Sequence, residues 1–516
     1  MATFITAEEA ALLIPSGATL AISGDGEMVM PDAVLAALEN RFLTQQEPID
    51  LTTIFPIILG ARAGGRGADR LSHPGLVKRV IGSSLYTLNV RRINQRLMDN
   101  ELEGYHLPMS IVFNMLRAAA AGQPGFLTEV GLGSFVDPRV EAGRANQRSS
   151  LKLMEVMEID GREYLYFRAL PVGVSIIRGT SADEYGNVSL ENEAITSGVL
   201  TIAMAAKSSG GITIAQVKRV VQGGSLHPKR VVVPAPLVDY VVVDPHQQEE
   251  VEFYNPAFTG DVRAPLSEIE RLEMGATKII VRRAALELHK GKLYNLGFGI
   301  PASLPLLLAE EGLIGDVFLN VEHGPVGGIP YGKLQFGAST NPLAIMDTVQ
   351  VLDMYDGGCL DGTFLGMAEL DKHGNVNVSR LNGFLNIGGF MNIVHRTPRI
   401  VFCGTLTSGG LNVELESGRI AIRHEGQHRK LVNGVNQVSF DAARALRLGQ
   451  HVTYITERAV FELAEDGPVL TEIAPGVDLR RDILSQMDFE PRIATPLKQI
   501  DSRCFQAESM SLRLPS

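Results

Sequence analysis

"DKHGNVNV", residues 371–378, repeats the pattern of "DEYGNVSL", residues 183–190. Both carry D-x-x-G-N-V, and each follows a strand-like run. One such match has little weight, because Asp, Gly and Asn suit turns wherever turns occur. A second correspondence falls in the same order: "PSGATL" followed by Pro31 near the start of the first half, "HKGKLY" followed by Pro301 near the start of the second. Repeats in a fixed order point to a duplicated architecture.

Outward from these repeats, short apolar runs alternate with helical patterns, which implies α/β layering. In the first half "GATLAIS" (17–23), "VSIIRGT", "GITIAQV" and "RVVVPAPLVDYVVV" read as strands. "PDAVLAALENRF" reads as a helix with Pro31 in its first turn, and "ENEAITSGVLTIAMAAKSSG" as a helix ending at a glycine pair. In the second half "KIIVRRAALEL" is a helix, "KLYNLGFG" a strand, "PASLPLLLAEEG" a helix opened by Pro301, and "DVFLNVEHG" a strand. The expected fold is α/β, with two related open α/β domains in one chain: residues 1–245, a linker over 246–270 within a polar stretch, and residues 271–516.

At 516 residues the chain exceeds one ordinary core. Hydrophobic content of 45% with 20% charged residues describes a globular protein. No apolar stretch reaches the ~18–20 residues that span a bilayer. "MATFITAEEAALLIP" lacks the basic region of a signal peptide. Cys359, Cys403 and Cys504 are too few and scattered for a disulfide framework or zinc ribbon, so a cytoplasmic location is expected. A net charge of −11 argues against nucleic-acid or anionic-membrane partners. Local basic pairs such as Lys78-Arg79 and Lys218-Arg219 still suit a small phosphorylated ligand. The 53 glycines exceed the ~7% average usage. They cluster at strand ends, where a backbone turns sharply or approaches a ligand.

"RHEGQHRK" (423–430) contains H-E-x-x-H, the zinc-hydrolase pattern, whose chemistry requires both histidines on one helix face. The neighbourhood opposes a helix. Ile420, Ile422 and His424 alternate as in a half-buried strand, and Gly426 sits where a helix interior would lose about 1 kcal/mol relative to Ala. The stretch reads as an exposed hairpin with its tip at Glu425-Gly426-Gln427 and Leu431 and Val432 on the returning strand. No metal site is expected. "GGIPYGKL" has Walker-like spacing at Gly327, Gly332 and Lys333, but Leu334 replaces the hydroxyl residue that would hold magnesium. No G-x-S-x-G elbow occurs.

Glu322 remains, at the end of an apolar strand and just before a glycine-rich turn. Held there, a carboxylate can act as a covalent nucleophile toward an activated acyl group, with nearby backbone N–H groups serving the oxyanion. The alternative is a solvated glutamate closing a strand.

The run "YNLGFGIPASL…FLNVEHGPVGG…QFGASTNPLAIMD…MYDGGCLDGTFLGMAELDKHGNVNVS…FCGTLTSGGL" closely resembles the class I coenzyme A transferases, in the branch of single-chain propionate/acetate CoA-transferases. "GLVKRVIGSSL", "AAAAGQPGFLTEVGLGSFVDPR" and "YITERAVFEL" extend the similarity through nearly the whole chain. The resemblance implies an active site between the two domains, Glu322 as the catalytic residue, and ping-pong transfer of CoA through an acyl-glutamyl anhydride and a glutamyl-CoA thioester. It further implies acyl-CoA and small carboxylic acids as partners, coenzyme A as co-substrate with no permanently bound cofactor, a role in short-chain fatty-acid or ketone-body metabolism, and a homo-oligomer.

By the same similarity Asn295, Gly297 and Gly299 should approach CoA, where the helix opening at Pro301 offers its positive end to anions. Gly327, Gly328, Gly388 and Gly389 would line the same cleft, and Arg282 and Arg283 are either phosphate partners or a solvated helix face. Gly24, Gly26 and Met109 fall on the acyl side. Family members usually carry P-Q-G where this chain has Pro108-Met109-Ser110, and methionine cannot donate a hydrogen bond. "SGDGEMVMP" also carries Glu27 and Met28 where smaller residues are usual. An altered acyl pocket is expected. An acyl-CoA hydrolase and a non-catalytic CoA-binding protein are the competing readings.

Overall fold

The computed structural model describes residues 1–61, 64–85, 90–247, 254–266, 269–332, 336–381 and 383–516. They form two compact units: Met1–Asp261 with Ile345–Asp353 and Asn382–Asn392, and Val262–Ala344 with Met354–Leu381 and Ile393–Ser516. The expected linker over 246–270 lies partly outside the described residues. Within it Asn255 caps a short helix, Pro256–Thr259. Lys333 and Leu334 of the Walker-like stretch also lie outside them.

In the first unit the apolar runs become β1 (Thr3–Ile5), β2 (Thr19–Ile22), β3 (Leu51–Phe55), β4 (Val77–Gly82), β5 (Glu103–His106), β6 (Val174–Arg178), β7 (Ile212–Val217) and β8 (Tyr240–Val243). All pair in parallel in the order β1-β8-β7-β6-β2-β3-β4-β5. β3 and β6 are buried along their whole length, as strands covered on both faces must be. Helices α1 (Asp32–Gln45), α2 (Met109–Ala120) and α3 (Val199–Ser208) bury apolar residues. The winding reverses between β2 and β6, and such reversals in open α/β sheets leave a crevice at the carboxyl ends of the strands.

The second unit contains α4 (Ala276–Ala285), β9 (Leu293–Leu296), α5 (Leu304–Glu310), β10 (Phe318–Asn320), β11 (Gly362–Gly366), β12 (Arg399–Cys403), β13 (His451–Ile455), β14 (Ala459–Ala464), β15 (Gly467–Ile473) and β16 (Arg492–Gln499). Eight strands of its ten-stranded sheet run in the order β10-β9-β11-β12-β13-β14-β15-β16, and the two-residue strand Pro325–Val326 pairs antiparallel with β10 on its other side. The first five are parallel, and the winding again reverses beside the first strand, between β9 and β11. Each unit has its own apolar core. The expected α/β class and paired domains are what the chain forms.

The repeated octapeptides build the same turn twice. Asp183 Oδ1 accepts from the N–H groups of Tyr185 and Asn187, and its Oδ2 from Asn187 Nδ2. Asp371 does the same with His373 and Asn375. Gly186 and Gly374 take φ of 99° and 91°, which an L side chain disfavours. The Asn side chains then accept from Ala235 N–H and Ala442 N–H.

Burial alone would raise the Asp183 pKa. The bonds from Asn187, Gly224 and Tyr185 outweigh it, and the carboxyl is held below its usual value. Asp183→Asn would set an amide against donors. We expect a loss of about 1–3 kcal/mol in chemical unfolding. Because the folded pKa is depressed, that contribution is complete above about pH 4. It vanishes as pH falls through the folded value, so the gap between wild type and variant should close in acid.

Several sequence expectations need correction. Residues 191–198 are not helical: Glu193 is drawn into a buried pair with Arg178, Glu191 binds Ser181, Ser189 and Arg219, and the helix starts only at Val199. "RVVVPAPLVDYVVV" is two strands, divided by the 3-10 turn Ala235–Leu237 at its prolines. Pro301 opens a 3-10 turn, Ile300–Ser303, and the α-helix begins at Leu304.

Around H-E-x-x-H, Arg419–His424 is a strand, as its alternation indicates. The expected hairpin does not form, because this strand pairs with Asn412–Glu416, and Leu431–Val432 pairs in parallel with Glu369–Asp371. Glu425, placed at an exposed tip from the sequence, instead receives both terminal nitrogens of Arg458.

Candidate active site

At the reversal point of the second sheet, Asn295 on β9 lies opposite Asn320 on β10 and opposite Thr363 on β11. All three side chains are fully buried, so their polar atoms require partners. Tyr355, fully buried in the helix Thr348–Asp356, partners both asparagines. Its hydroxyl accepts from Asn295 Nδ2 at 3.0 Å and donates to Asn320 Oδ1. Asn320 Nδ2 donates to the Pro325 carbonyl at 2.6 Å, and Thr363 Oγ1 to Asn295 Oδ1 at 3.1 Å. The strand ends and the turn that follows β10 are thereby tied into one polar network.

Glu322 sits on that turn, two residues beyond Asn320, and is only 7% exposed. The Tyr355 phenol is pushed well above its usual pKa, first by burial and then by the charge of Glu322; the bond from Asn295 works against both. Tyr355 therefore stays a neutral hydroxyl near the carboxylate. Beside Glu322, burial drives the His323 pKa down to about 3, so this imidazole is uncharged at neutral pH. Its ring meets Phe336 edge-on at 5.5 Å, and Phe336 meets Phe298 edge-on at 5.4 Å. Phe298 is 65% exposed. An aromatic row thus leads from the neighbour of Glu322 to solvent.

The glycines differ in what they leave open. Around Gly299, with φ of 89°, a Cβ would meet nothing within 4 Å. At Gly297 it would come within 2.9 Å of Leu365. At Gly328 it would strike the Thr340 carbonyl at 2.3 Å, and at Gly327 the Leu343 side chain at 2.6 Å. Packing within the unit accounts for the last two.

The other residues singled out from the sequence lie in the first unit. Gly24 receives a close approach from Leu59, and its N–H donates to Ser197 Oγ at 3.0 Å. Gly26, with φ of 59°, exchanges backbone hydrogen bonds with Ile58 and Gly60. Met109 opens α2 fully buried, and its N–H donates to the Gly388 carbonyl at 2.9 Å. Gly389 follows Gly388 in the same turn.

Arg282 and Arg283 are neither ligand partners in waiting nor a solvated face. Both are buried: Arg282 binds the carbonyls of Arg503, Gln506 and Glu508, and Arg283 pairs with Glu472 and Glu287. Of the basic pairs, Arg79 is joined to Glu103 and Arg219 to Glu191. No group of three His, Cys, Asp or Glu side chains that could hold a metal occurs among the described residues. None of their helices is long and apolar enough to cross a membrane.

Sequence reasoning did not find Tyr355, Asn320, Thr363, His323 or Phe298. For Asn320 and Asn295 a signal existed: amides inside otherwise apolar strands need a buried partner.

The sequence model of the coenzyme A transferase family matches residues 4–244. The chain is 40% identical to the caffeate CoA-transferase of Acetobacterium woodii, over 98% of each protein. It is also 40% identical to the acetate CoA-transferase of Escherichia coli, over 99% of this chain and 96% of that one. The crystal structure of an acyl-CoA transferase from E. coli O157:H7, as a thioester complex with CoA, superposes with a TM-score of 0.94 at 38% identity, covering 100% of this chain and 98% of the other.

Proposed function

The chain belongs to the coenzyme A transferase family and is an acyl-CoA:carboxylate CoA-transferase, and from that premise we propose that it works by double displacement on Glu322. The Glu322 carboxylate attacks the thioester carbonyl. The C–S bond breaks, CoA leaves as thiolate, and an acyl-glutamyl anhydride remains. The thiolate then attacks the glutamyl carbonyl, releasing the first acid and leaving Glu322 as its CoA thioester. An incoming carboxylate repeats both steps in reverse. The thioester's own activation carries the reaction, and the chain must supply an ionised nucleophile and oxyanion donors.

The observation that carries this reading is the placement of Glu322: a nearly buried carboxylate on a turn fastened through Asn320 to Tyr355 and Asn295, at the sheet's reversal point. Gly299 leaves room for a backbone approach by CoA, and remote contacts to so large a handle can be spent on aligning the reacting carbonyl. The acids differ among relatives of equal identity, caffeate in one and acetate in the other. Met109, in place of the usual glutamine, lacks an oxyanion donor, a loss that commonly costs about 10²–10³ in rate. We read it as belonging to a more apolar acyl pocket.

Mass spectrometry of protein mixed with acyl-CoA should find a CoA adduct on the peptide containing Glu322, and initial rates should follow ping-pong patterns with both substrates. Thiol release independent of an acceptor acid would indicate hydrolysis instead. Absence of any adduct would overturn double displacement on Glu322.

Tyr355 has a positioning role in this scheme. Tyr355→Phe strips a partner from both Asn295 and Asn320, and should lower kcat roughly 10-fold or more while KM moves little, since an interaction lost only at the transition state behaves so. The accompanying loss of stability should be about 1–3 kcal/mol.

A further inference from the structure

Lys430 lies in the second unit, at the carboxyl edge of its sheet. Its carbonyl accepts from Leu370 N–H at 2.8 Å, and its side chain runs over Gly404, the residue following β12. A Cβ at Gly404 would lie 2.8 Å from Lys430 Nζ and 2.9 Å from Met367, which follows β11. Glycine at 404 is what lets the amine reach this place. The residue is partly buried, yet Nζ makes no hydrogen bond and no ion pair among the described residues.

The charge it senses is that of Glu457, and Glu457 is already engaged. One of its oxygens lies 2.7 Å from Arg458 Nε in an ion pair, and the other accepts from the Leu406 N–H at 3.0 Å. Arg458 is itself held by Glu425 and Thr407. Glu457, Arg458 and Glu425 are thus engaged with one another. Burial pushes the Lys430 pKa down to about 8, with Glu457 working against it. At neutral pH the group is still mostly a cation. A half-buried cation that makes no direct ion pair, and whose neighbouring carboxylate is held by another partner, is costly to keep, and ligands of open α/β sheets bind at this edge.

Glu322 follows a strand of the same sheet. The Phe298 carbonyl approaches Gly366, the residue before Met367, and the Phe298 ring is exposed. Between β10, which leads to Glu322, and β12, which leads to Gly404, lie β9 and β11. Three strand spacings of ~4.8 Å amount to roughly 14 Å, within reach of an extended molecule bound by its other end at Glu322.

We propose that Lys430 is an anion-binding residue of the active-site edge, whose counter-ion is a phosphate or carboxylate oxygen of the bound substrate. This rests on the reading of Glu322 above for its reach, and is tested apart from it. In a Glu322→Gln background, where chemistry is removed but CoA can still bind, calorimetry would compare CoA with its phosphate-free pantetheine fragment, with and without Lys430→Met. Methionine keeps the apolar stem and drops the charge.

Loss of at least about 10-fold in CoA affinity, with pantetheine unchanged, would place a phosphate on Lys430. Unchanged CoA affinity with at least a 10-fold rise in KM for the acceptor acid, measured in the Lys430→Met single variant, would place a carboxylate there. Gly404→Ala, which crowds the amine without altering charge, should move the same quantity in the same direction.

Affinities and KM all within 2-fold of the parent would overturn the proposal. If Lys430→Met does not fold, wild-type protein decides: acetic anhydride should acetylate Lys430 several-fold more slowly when CoA or acceptor acid saturates the enzyme. Equal labelling with and without both ligands would refute it. Should Glu322→Gln turn out active, the nucleophile assignment fails, while protection of Lys430 in wild type still reports on this one.

Discussion

Glu322→Gln is expected to lower CoA transfer roughly 10⁴-fold or more, the scale seen when a covalent nucleophile is removed. Gln has nearly the size and shape of Glu, so the turn and its bond from Asn320 to the Pro325 carbonyl should persist. An uncharged amide oxygen cannot displace a thiolate, so no anhydride forms and no adduct accumulates. Binding of CoA should survive, because the handle is held by groups other than the reacting oxygen. The measurement is therefore a pair: transfer rate and CoA affinity on the same preparation, with unfolding to confirm an intact fold. A loss of rate with retained affinity fits the nucleophile. Activity within 10-fold of wild type would end the assignment. Loss of both together would make Glu322 a binding group only.

How much of this was legible beforehand varied with the physics that governs each segment. Strands such as Thr19–Ile22 and Val174–Arg178 are local: apolar runs bounded by glycine become buried parallel strands almost regardless of context. The D-x-x-G-N-V repeats were equally readable, since the Asp-centred turn closes on its own backbone within four residues. Glu322 stood out by position, at a strand end before glycines. What escaped depends on partners distant in sequence. Glu193 leaves its helical pattern because Arg178 is near in space. Arg283, read as either a phosphate partner or part of a solvated helix face, is buried against Glu472, 189 residues away. Tyr355 carried no local sign of its role, because its partners Asn295 and Asn320 lie 60 and 35 residues upstream.

Glu425 is the sharpest case, for the letters around it suggested a metal and its work is electrostatic. That work makes Arg458 the site of the largest expected effect on stability. Its side chain is wholly buried, with Nε at 2.7 Å from Glu457, Nη1 and Nη2 at 2.8 and 2.7 Å from Glu425, and Nη1 at 3.1 Å from the Asp482 carbonyl. Replacing both members of a buried pair can be neutral, whereas deleting one strands the other charge at a cost of about 3–5 kcal/mol. Arg458→Met should therefore destabilise the second unit by about that amount, nearer the lower figure because Lys430 still senses Glu457. Glu457→Gln with Arg458→Met should recover much of it.

The pH dependence gives an independent check. Burial already raises the Glu457 pKa, and Arg458 opposes that rise. Without Arg458 the folded-state value climbs further above the unfolded one, so the folded variant binds the extra proton. Stability of the variant must then fall as pH rises from about 4 through the folded value. The deficit relative to wild type should be smallest in acid and largest near neutrality, read as urea-unfolding midpoints at several pH values. A deficit independent of pH would mean that lost packing, not the stranded carboxylate, sets the cost. Arg492, 61% exposed and 3.9 Å from Asp466, is the control: its replacement should leave the midpoint unchanged.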